Sequence, residues 1–325
     1  MYPLSRADIS ELEEAIARVR TRGLEMLELQ REDFKLPKLG AVLTGIRYEL
    51  IDGRGFALIR GMPVDRWSRE DIALAFWGMG RYLGEAIMQN RKGHVLGHVT
   101  DIGVDVDNPR FRGYQSAANL SPHTDIASDL VALLCLRPAK LGGLSMIASA
   151  SAIHNAILER RPDLASVLSA PYFVDRREEV PEGKKPYYSL PVFNRHAGKT
   201  TVVYIRRFVE SAQRFEEVPR LTGAQVEAMD LIDELAFDDD IRLDMDFRPG
   251  DIQIVNNLIT LHSRTAYEDW LEPDRRRHLL RLWFAVQEGW PLPDVYFDRY
   301  EADAHGRPRG VTVPGIPPVA ALEPV

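Results

Sequence analysis

The chain has a single cysteine, Cys135, in 325 residues, so an internal disulfide and zinc held by clustered cysteines are both excluded. Because Cys135 sits in an apolar run, it reads as a buried core thiol. No apolar run approaches the roughly 20 residues of a membrane-spanning helix, and Met1 to Gln30 carries a charge every few residues, unlike a secretory leader. A cytoplasmic protein is therefore expected. Long blocks of one charge sign are missing too: 41 Lys and Arg stand against 48 Asp and Glu, a net charge of −7. That speaks against nucleic acid or an anionic membrane as the main partner. There is no internal repeat and no low-complexity tract. What is present is 45% hydrophobic residues, enough for one large core, which excludes global disorder.

Apolar residues recur at helical intervals over residues 9–19 and again over 39–50, and these helices are expected to pack outside the active core. Gly55 and Gly61 bracket a short apolar run suited to a buried strand, and Ser68 caps a helix that runs from Arg69 to about Leu83. Beyond it, short β-branched or apolar runs predict strands over 130–136, 144–148, 200–205, 241–247, 252–255 and 278–285. Helical patterns over 206–215 and 223–237 interrupt them. Short strands in a long chain, with helices before and among them, favour a β-sandwich or jelly roll over an alternating βαβ sheet. The expected architecture is a single domain, mainly β with helical insertions (α+β). Packing helices occupy 1–54 and a core 55–286, with a helical insertion at about 151–240 and a C-terminal tail over 287–325. The segment 175–191, rich in Glu, Lys and Pro, reads as an exposed loop that could cover a site, and the Pro-rich stretch after Gly306 as a surface tail.

The chemistry begins at His123-Thr124-Asp125. In extended backbone, residues two apart point to the same side, so this imidazole and carboxylate can share one metal ion. Alone the pair is weak, since about one His-x-acid match is expected by chance, and a third ligand must come from elsewhere in the chain. His262 is the candidate. It follows a Pro249-Gly250-Asp251 turn and a strand leading through Asn256-Asn257. Further on, Arg277, Arg281 and Trp283 share one strand face while Leu280, Leu282 and Phe284 share the other. Inward arginines on an apolar strand are costly unless anions meet them.

Taken in order, His123-Thr124-Asp125, Gly142-Gly143-Leu144-Ser145, Pro249-Gly250-Asp251 to His262, and Arg277 to Arg281 resemble the taurine dioxygenase-like (TauD/TfdA) family of iron(II)/2-oxoglutarate-dependent dioxygenases. The similarity covers roughly residues 55–286. It implies a double-stranded β-helix, the cupin-like jelly roll, flanked by helices, with His123, Asp125 and His262 as ligands of Fe(II). It implies 2-oxoglutarate as cosubstrate, its far carboxylate paired with Arg277 and helped by Ser145, which stands where threonine is commoner in the family. Arg281 is a shared candidate for cosubstrate, an anionic substrate or a neighbouring acid. The implied reaction uses O2 and couples decarboxylation of 2-oxoglutarate to succinate and CO2 with hydroxylation, desaturation or cyclisation of a small molecule. Asp125 argues against halogenation, because halogenating relatives carry a small residue there.

For the substrate, Asn119 stands four residues before His123, at a position that meets substrate in the resembled family. Gln115, Tyr204, Gln89 and Asn90 are polar residues in or beside apolar stretches. An amino-acid-like or anionic substrate fits the arginines, while oligomeric state, homo-oligomer included, is left open. His94, His98, His154, His196, His278 and His305 read as structural or exposed. Two rival readings fit parts of the pattern: a cupin-like metal-dependent isomerase or hydrolase without 2-oxoglutarate, for which an inward Arg277 would have no use, and a non-catalytic ligand-binding protein with a vestigial site.

Overall fold

Alternation along the strands decides the fold, because each core strand turns one row of side chains to helices and the next to the opposing sheet. The computed structural model describes every residue except 106, 107, 109, 110, 300, 301, 303–305, 309 and 325; His305 lies outside the described residues. The core strands are β1 (Phe56–Arg60), β2 (Leu96–Val99), β3 (Leu120–His123), β4 (Leu130–Arg137), β5 (Ser145–Ser149), β6 (Arg242–Met245), β7 (Ile252–Asn256), β8 (Thr260–Arg264) and β9 (His278–Ala285). A seven-stranded sheet runs Tyr2–Pro3, β1, β7, β4, β9 and Glu85–Ala86, with β2 also on β9, and a four-stranded sheet runs β6, β5, β8 and β3. From β3 to β5 and again from β6 to β9 the chain alternates between the two sheets. Thus β3 and β8, far apart in sequence, pair directly, His123 opposite His262.

On β9, Leu280, Leu282 and Phe284 pack with Leu12, Phe34 and Phe76 in a helix-covered core, while Trp283 belongs to a second core with Val131, Val255 and Leu261. The covering helices are α1 (Arg6–Arg22), α2 (Leu39–Ile51) and α3 (Arg69–Gly80). The Ser5 hydroxyl accepts the Asp8 amide to start α1, Leu12, Ala15, Ile16 and Val19 form its buried stripe, and Gly23 ends it at φ 62°. Ser68 caps α3 in the same way. The sequence predicts these helices and the Ser68 cap; the Ser5 and Gly23 caps of α1 are additions from the structure. The Pro249-Gly250-Asp251 turn is built as such: Gly250 has φ 83°, and a Cβ there would strike the Met62 carbonyl. The buried Asp251 takes both ends of the Arg60 guanidinium at 2.8 and 2.9 Å. Cys135 is fully buried, and burial pushes its thiol up to about 12, which makes it inert.

Between β5 and β6 lie α4 (Ala150–Arg160), α5 (Pro162–Leu168), α6 (Arg206–Ser211) and α7 (Gly223–Ala236). Two hairpin arms accompany them, Pro171–Asp175 with Tyr187–Pro191 and Phe193–His196 with Lys199–Val202. The first arm corrects the exposed loop expected over 175–191. Residues 182–186 are exposed, but Asp175, Arg176 and Arg177 are buried. The Asp175 carboxylate accepts from Ser211 and Arg214, partners distant in sequence that neutralise what composition alone makes look solvated. The stretch after Gly306 is likewise fastened to the body. Arg307 pairs with Asp129, the Val311 amide donates to Met88, and the Val95 amide donates to Val319.

One buried chain of rings ties this C-terminal stretch down. Arg69 donates to Nδ1 of His278 at 3.3 Å, which leaves the proton on Nε2; that nitrogen donates to Nδ1 of His98 at 2.8 Å, and Nε2 of His98 donates to the Ala321 carbonyl at 2.8 Å. Burial keeps both imidazoles neutral, His278 being pushed down to about 2.

Candidate active site

The pairing of β3 with β8 brings His123 and His262 together, ring centroids 4.3 Å apart, and Asp125 lies just beyond the end of β3. One donor atom from each of His123, Asp125 and His262 falls within 4.8 Å of the others. Nε2 of His262 is 3.9 Å from Oδ2 of Asp125. Nδ1 of His123 is 2.8 Å from the Ser121 carbonyl and spends its proton there, so the lone pair sits on Nε2. Asn257, at the tight turn between β7 and β8, fixes the approach to the acid. Its side-chain oxygen accepts the Asp125 amide at 2.7 Å, and its nitrogen donates to the carbonyls of Asp125 and Ser128.

Burial holds both imidazoles neutral, with His262 pushed down to about 3, partly by its neighbour His123. Burial alone would raise the Asp125 pKa, yet the charge of Arg281, the two histidines and the Trp283 hydrogen bond hold it below the ordinary carboxylate value. Trp283 donates to Oδ2 at 2.7 Å, and Nη1 of Arg281 is 3.4 Å from Oδ1. Two neutral imidazoles with an ionised carboxylate are the donor set of a divalent transition-metal ion.

The trio opens into a cavity of about 350 Å³ whose walls include Asn119, Ser145, Phe208, Arg264, Arg277 and Arg281. Arg277 reaches it because Gly143, with φ 73°, carries no Cβ; one built there would come within 3.2 Å of the Arg277 Nε. Arg277 and Arg264 are buried, and each keeps an Nη1 with no hydrogen-bond partner. Burial lowers both pKa values, and the charge of Arg277 helps hold Arg264 at about 10. Ser145 faces the same space, but its hydroxyl donates to Gln253 at 2.9 Å. Arg281 is gripped by Gln89 at 2.7 Å and by Asp125.

Of the residues singled out for substrate, Asn119 and Gln89 line the cavity, whereas Tyr204 and Gln115 do not. Tyr204 is 1% exposed and donates its hydroxyl to Asp233 at 2.8 Å, and the Gln115 side chain is taken by the Arg112 amide at 2.9 Å. Both make structural hydrogen bonds, which corrects their assignment. Residues that the sequence reading did not assign are Asn257, Arg264 and Tyr267. Arg264 was findable, since it stands two positions after His262 and so faces the same side of a strand.

The family model described as "Taurine catabolism dioxygenase TauD, TfdA family" matches residues 20–283. FR-33289 synthase of Streptomyces rubellomurinus is 34% identical over 301 residues, 90% of this chain and 87% of that protein. Among solved structures, an asparagine oxygenase with Fe(II), 2S,3S-3-hydroxyasparagine and succinate superposes with TM-score 0.66 at 19% identity, over 87% of this chain and 92% of that one. The non-heme iron oxygenase OrfP with Fe and alpha-ketoglutaric acid gives TM-score 0.62 at 16% identity, over 87% and 93%. These two likenesses show a shared fold, a mixed α+β architecture rich in strands. With the family model spanning most of its length and a full-length relative at this identity, the chain belongs to the TauD/TfdA family and is an Fe(II)- and 2-oxoglutarate-dependent dioxygenase.

Proposed function

We propose that His123, Asp125 and His262 hold the iron, and that the enzyme hydroxylates a small amino-acid-like or anionic molecule in the cavity beside them. The convergence of three donors, two neutral and one ionised, within 4.8 Å carries this reading. Three ligands on one side of an ion leave the opposite positions open for other molecules. When bound, iron(II) and 2-oxoglutarate would supply O2 activation: O2 is the four-electron oxidant, 2-oxoglutarate gives two electrons as it becomes succinate and CO2, and the substrate gives the other two. The chain's part is to hold and to orient. Trp283 and Arg281 fix the Asp125 carboxylate in its ionised form, Asn257 fixes the backbone that carries it, and Arg277 offers a buried cation to the far end of the cosubstrate. The partnerless Nη1 of Arg277 fits that role. Ser145 meets a carboxylate only if its proton leaves Gln253, so its help is the weaker contact.

The alternation of the chain between two antiparallel sheets supports a jelly-roll core, and the cores shared by sheets and helices support a single domain from residue 1 to 325. A net charge of −7 supports a small molecule rather than nucleic acid as partner, and a cytoplasmic setting goes with that reading. Among the described residues no helix is long and apolar enough to cross a membrane. Cations and the acid Glu210 both line the cavity, as a zwitterion would need, and the asparagine oxygenase of the same fold holds a hydroxylated amino acid.

The test is an anaerobic titration with iron(II) and 2-oxoglutarate, followed by O2 and a succinate assay over a panel of amino acids and small acids. A weak visible charge-transfer band and substrate-dependent succinate are expected; absence of both sinks the reading.

A further inference from the structure

The two ends of the cavity are finished to different degrees. Around Asp125 both carboxylate oxygens have partners. At the other end, Arg264 and Arg277 are each 4% exposed, have no carboxylate within ion-pair distance among the described residues, and keep an unpartnered Nη1. Their guanidinium carbons lie 4.6 and 5.2 Å from the centroid of one ring, that of Tyr267. The Tyr267 hydroxyl, beside Arg277, is itself buried and makes no hydrogen bond of ordinary geometry. Arg264 arrives there from β8, where it stands opposite Ser145 in register. Its head cannot swing to solvent, because Nε and Nη2 hold the carbonyls of Thr265, Ser116 and Ala118. Two buried cations against one phenol, with Asp101 and Asp269 acting on them only from beyond ion-pair distance, call for an anion in contact.

The other expected anion contacts are committed elsewhere: Ser145 to Gln253, and Arg281 to Gln89 and Asp125. We propose that Arg264 and Tyr267 join Arg277 in binding the far carboxylate of 2-oxoglutarate, Arg264 being the second guanidinium of a two-arginine site. This inference rests on the iron and 2-oxoglutarate reading above. It also makes Arg264 a bridge, since the Ala118 carbonyl it holds immediately precedes Asn119, which lines the same cavity.

The experiment titrates 2-oxoglutarate, and separately pyruvate, which lacks the far carboxylate, into the anaerobic Fe(II) protein and follows the charge-transfer band. Variants are Arg264→Met, Arg264→Lys and Tyr267→Phe. Arg264→Met should weaken 2-oxoglutarate binding by about tenfold or more, the scale of losing a charged hydrogen bond. Its affinities for pyruvate and for Fe(II) alone should stay within about twofold of wild type, and Arg264→Lys should recover part of the loss. Tyr267→Phe should cost about threefold on the same scale, which keeps the question open to test if Arg264→Met does not fold. Unchanged 2-oxoglutarate affinity, or an equal loss for 2-oxoglutarate and pyruvate, makes Arg264 a structural residue and overturns the proposal. A wild-type protein that shows no band with either acid fails one step earlier, at the iron reading itself.

Discussion

The protein contains two close pairs of histidine rings, one buried and one half-buried at the cavity, that look alike and behave in opposite ways. His98 and His278 have centroids 5.0 Å apart and interplanar angle 45°; His123 and His262 are 4.3 Å apart at 49°. In the first pair every ring nitrogen is spent, on Arg69, on the partner ring or on a carbonyl. In the second the rings make no hydrogen bond to each other, neither Nε2 has a hydrogen-bond partner among the described residues, and a carboxylate stands against them. Satisfaction is what separates a structural pair from a functional one. A buried polar atom left open costs stability, and it persists where a ligand is to fill it.

The largest effect that would break this contrast is loss of the iron signal. His123→Ala or His262→Ala should abolish the charge-transfer band while lowering the stability of the metal-free protein by no more than about 1 kcal/mol. His278→Ala should keep the band but cost about 2–4 kcal/mol in chemical denaturation, because it strands Arg69 and His98. Equal costs from both pairs would end the comparison. Next, Trp283→Phe should weaken Fe(II) binding by about tenfold or more, by removing the donor that orients Asp125; calorimetry without cosubstrate reads this directly. Arg277→Ala should weaken 2-oxoglutarate about tenfold, on the order of 1.4 kcal/mol, and an unaltered affinity would hand that role to Arg264.

The smallest effect sharpens the contrast through pH. Burial, then the neighbouring His98 ring and the charges of Arg69 and Arg137, push the folded pKa of His278 down to about 2, from an ordinary 6.5. The unfolded chain therefore takes up the proton first. Stability is full above about pH 6.5 and is lost as pH falls toward the folded value, at up to about 1.4 kcal/mol per pH unit. Thermal melts between pH 7 and 5 should show the decline, and His278→Gln should make it shallower, leaving the share of His98, His123 and His262. A slope unchanged by that variant would place the titration elsewhere.

The convergence of His123, Asp125 and His262 was legible because spacing and order are properties of the chain: two residues apart on a strand, then a turn, then a strand ending in His262. So were α1, α2 and α3, whose apolar stripes are local, as is the Ser68 cap of α3. Which way a polar residue turns was not legible. Tyr204 and Gln115 looked like site residues because they stand beside apolar stretches, yet Asp233 and the Arg112 amide, supplied by the fold, claim them. Asn257 was hidden for the converse reason, since its partner, the Asp125 backbone, becomes a neighbour only in the folded chain. The face of Arg264 follows from its spacing to His262, but the Ser116 and Ala118 carbonyls it holds become neighbours only once β3 pairs with β8. The arm Pro171–Asp175 was hidden by its charges, whose neutralising partners lie on α6 and just beyond it.

The indole of Trp283 has an optical consequence. Of the chain's five tryptophans it alone, among the described residues, lines the cavity, and its N–H rests on the acid proposed to meet the metal. A paramagnetic ion drawn in by that carboxylate would sit within quenching range of a single fluorophore. Loading of the enzyme can then be followed by emission, in a stopped-flow cell, with no dye and no product to detect.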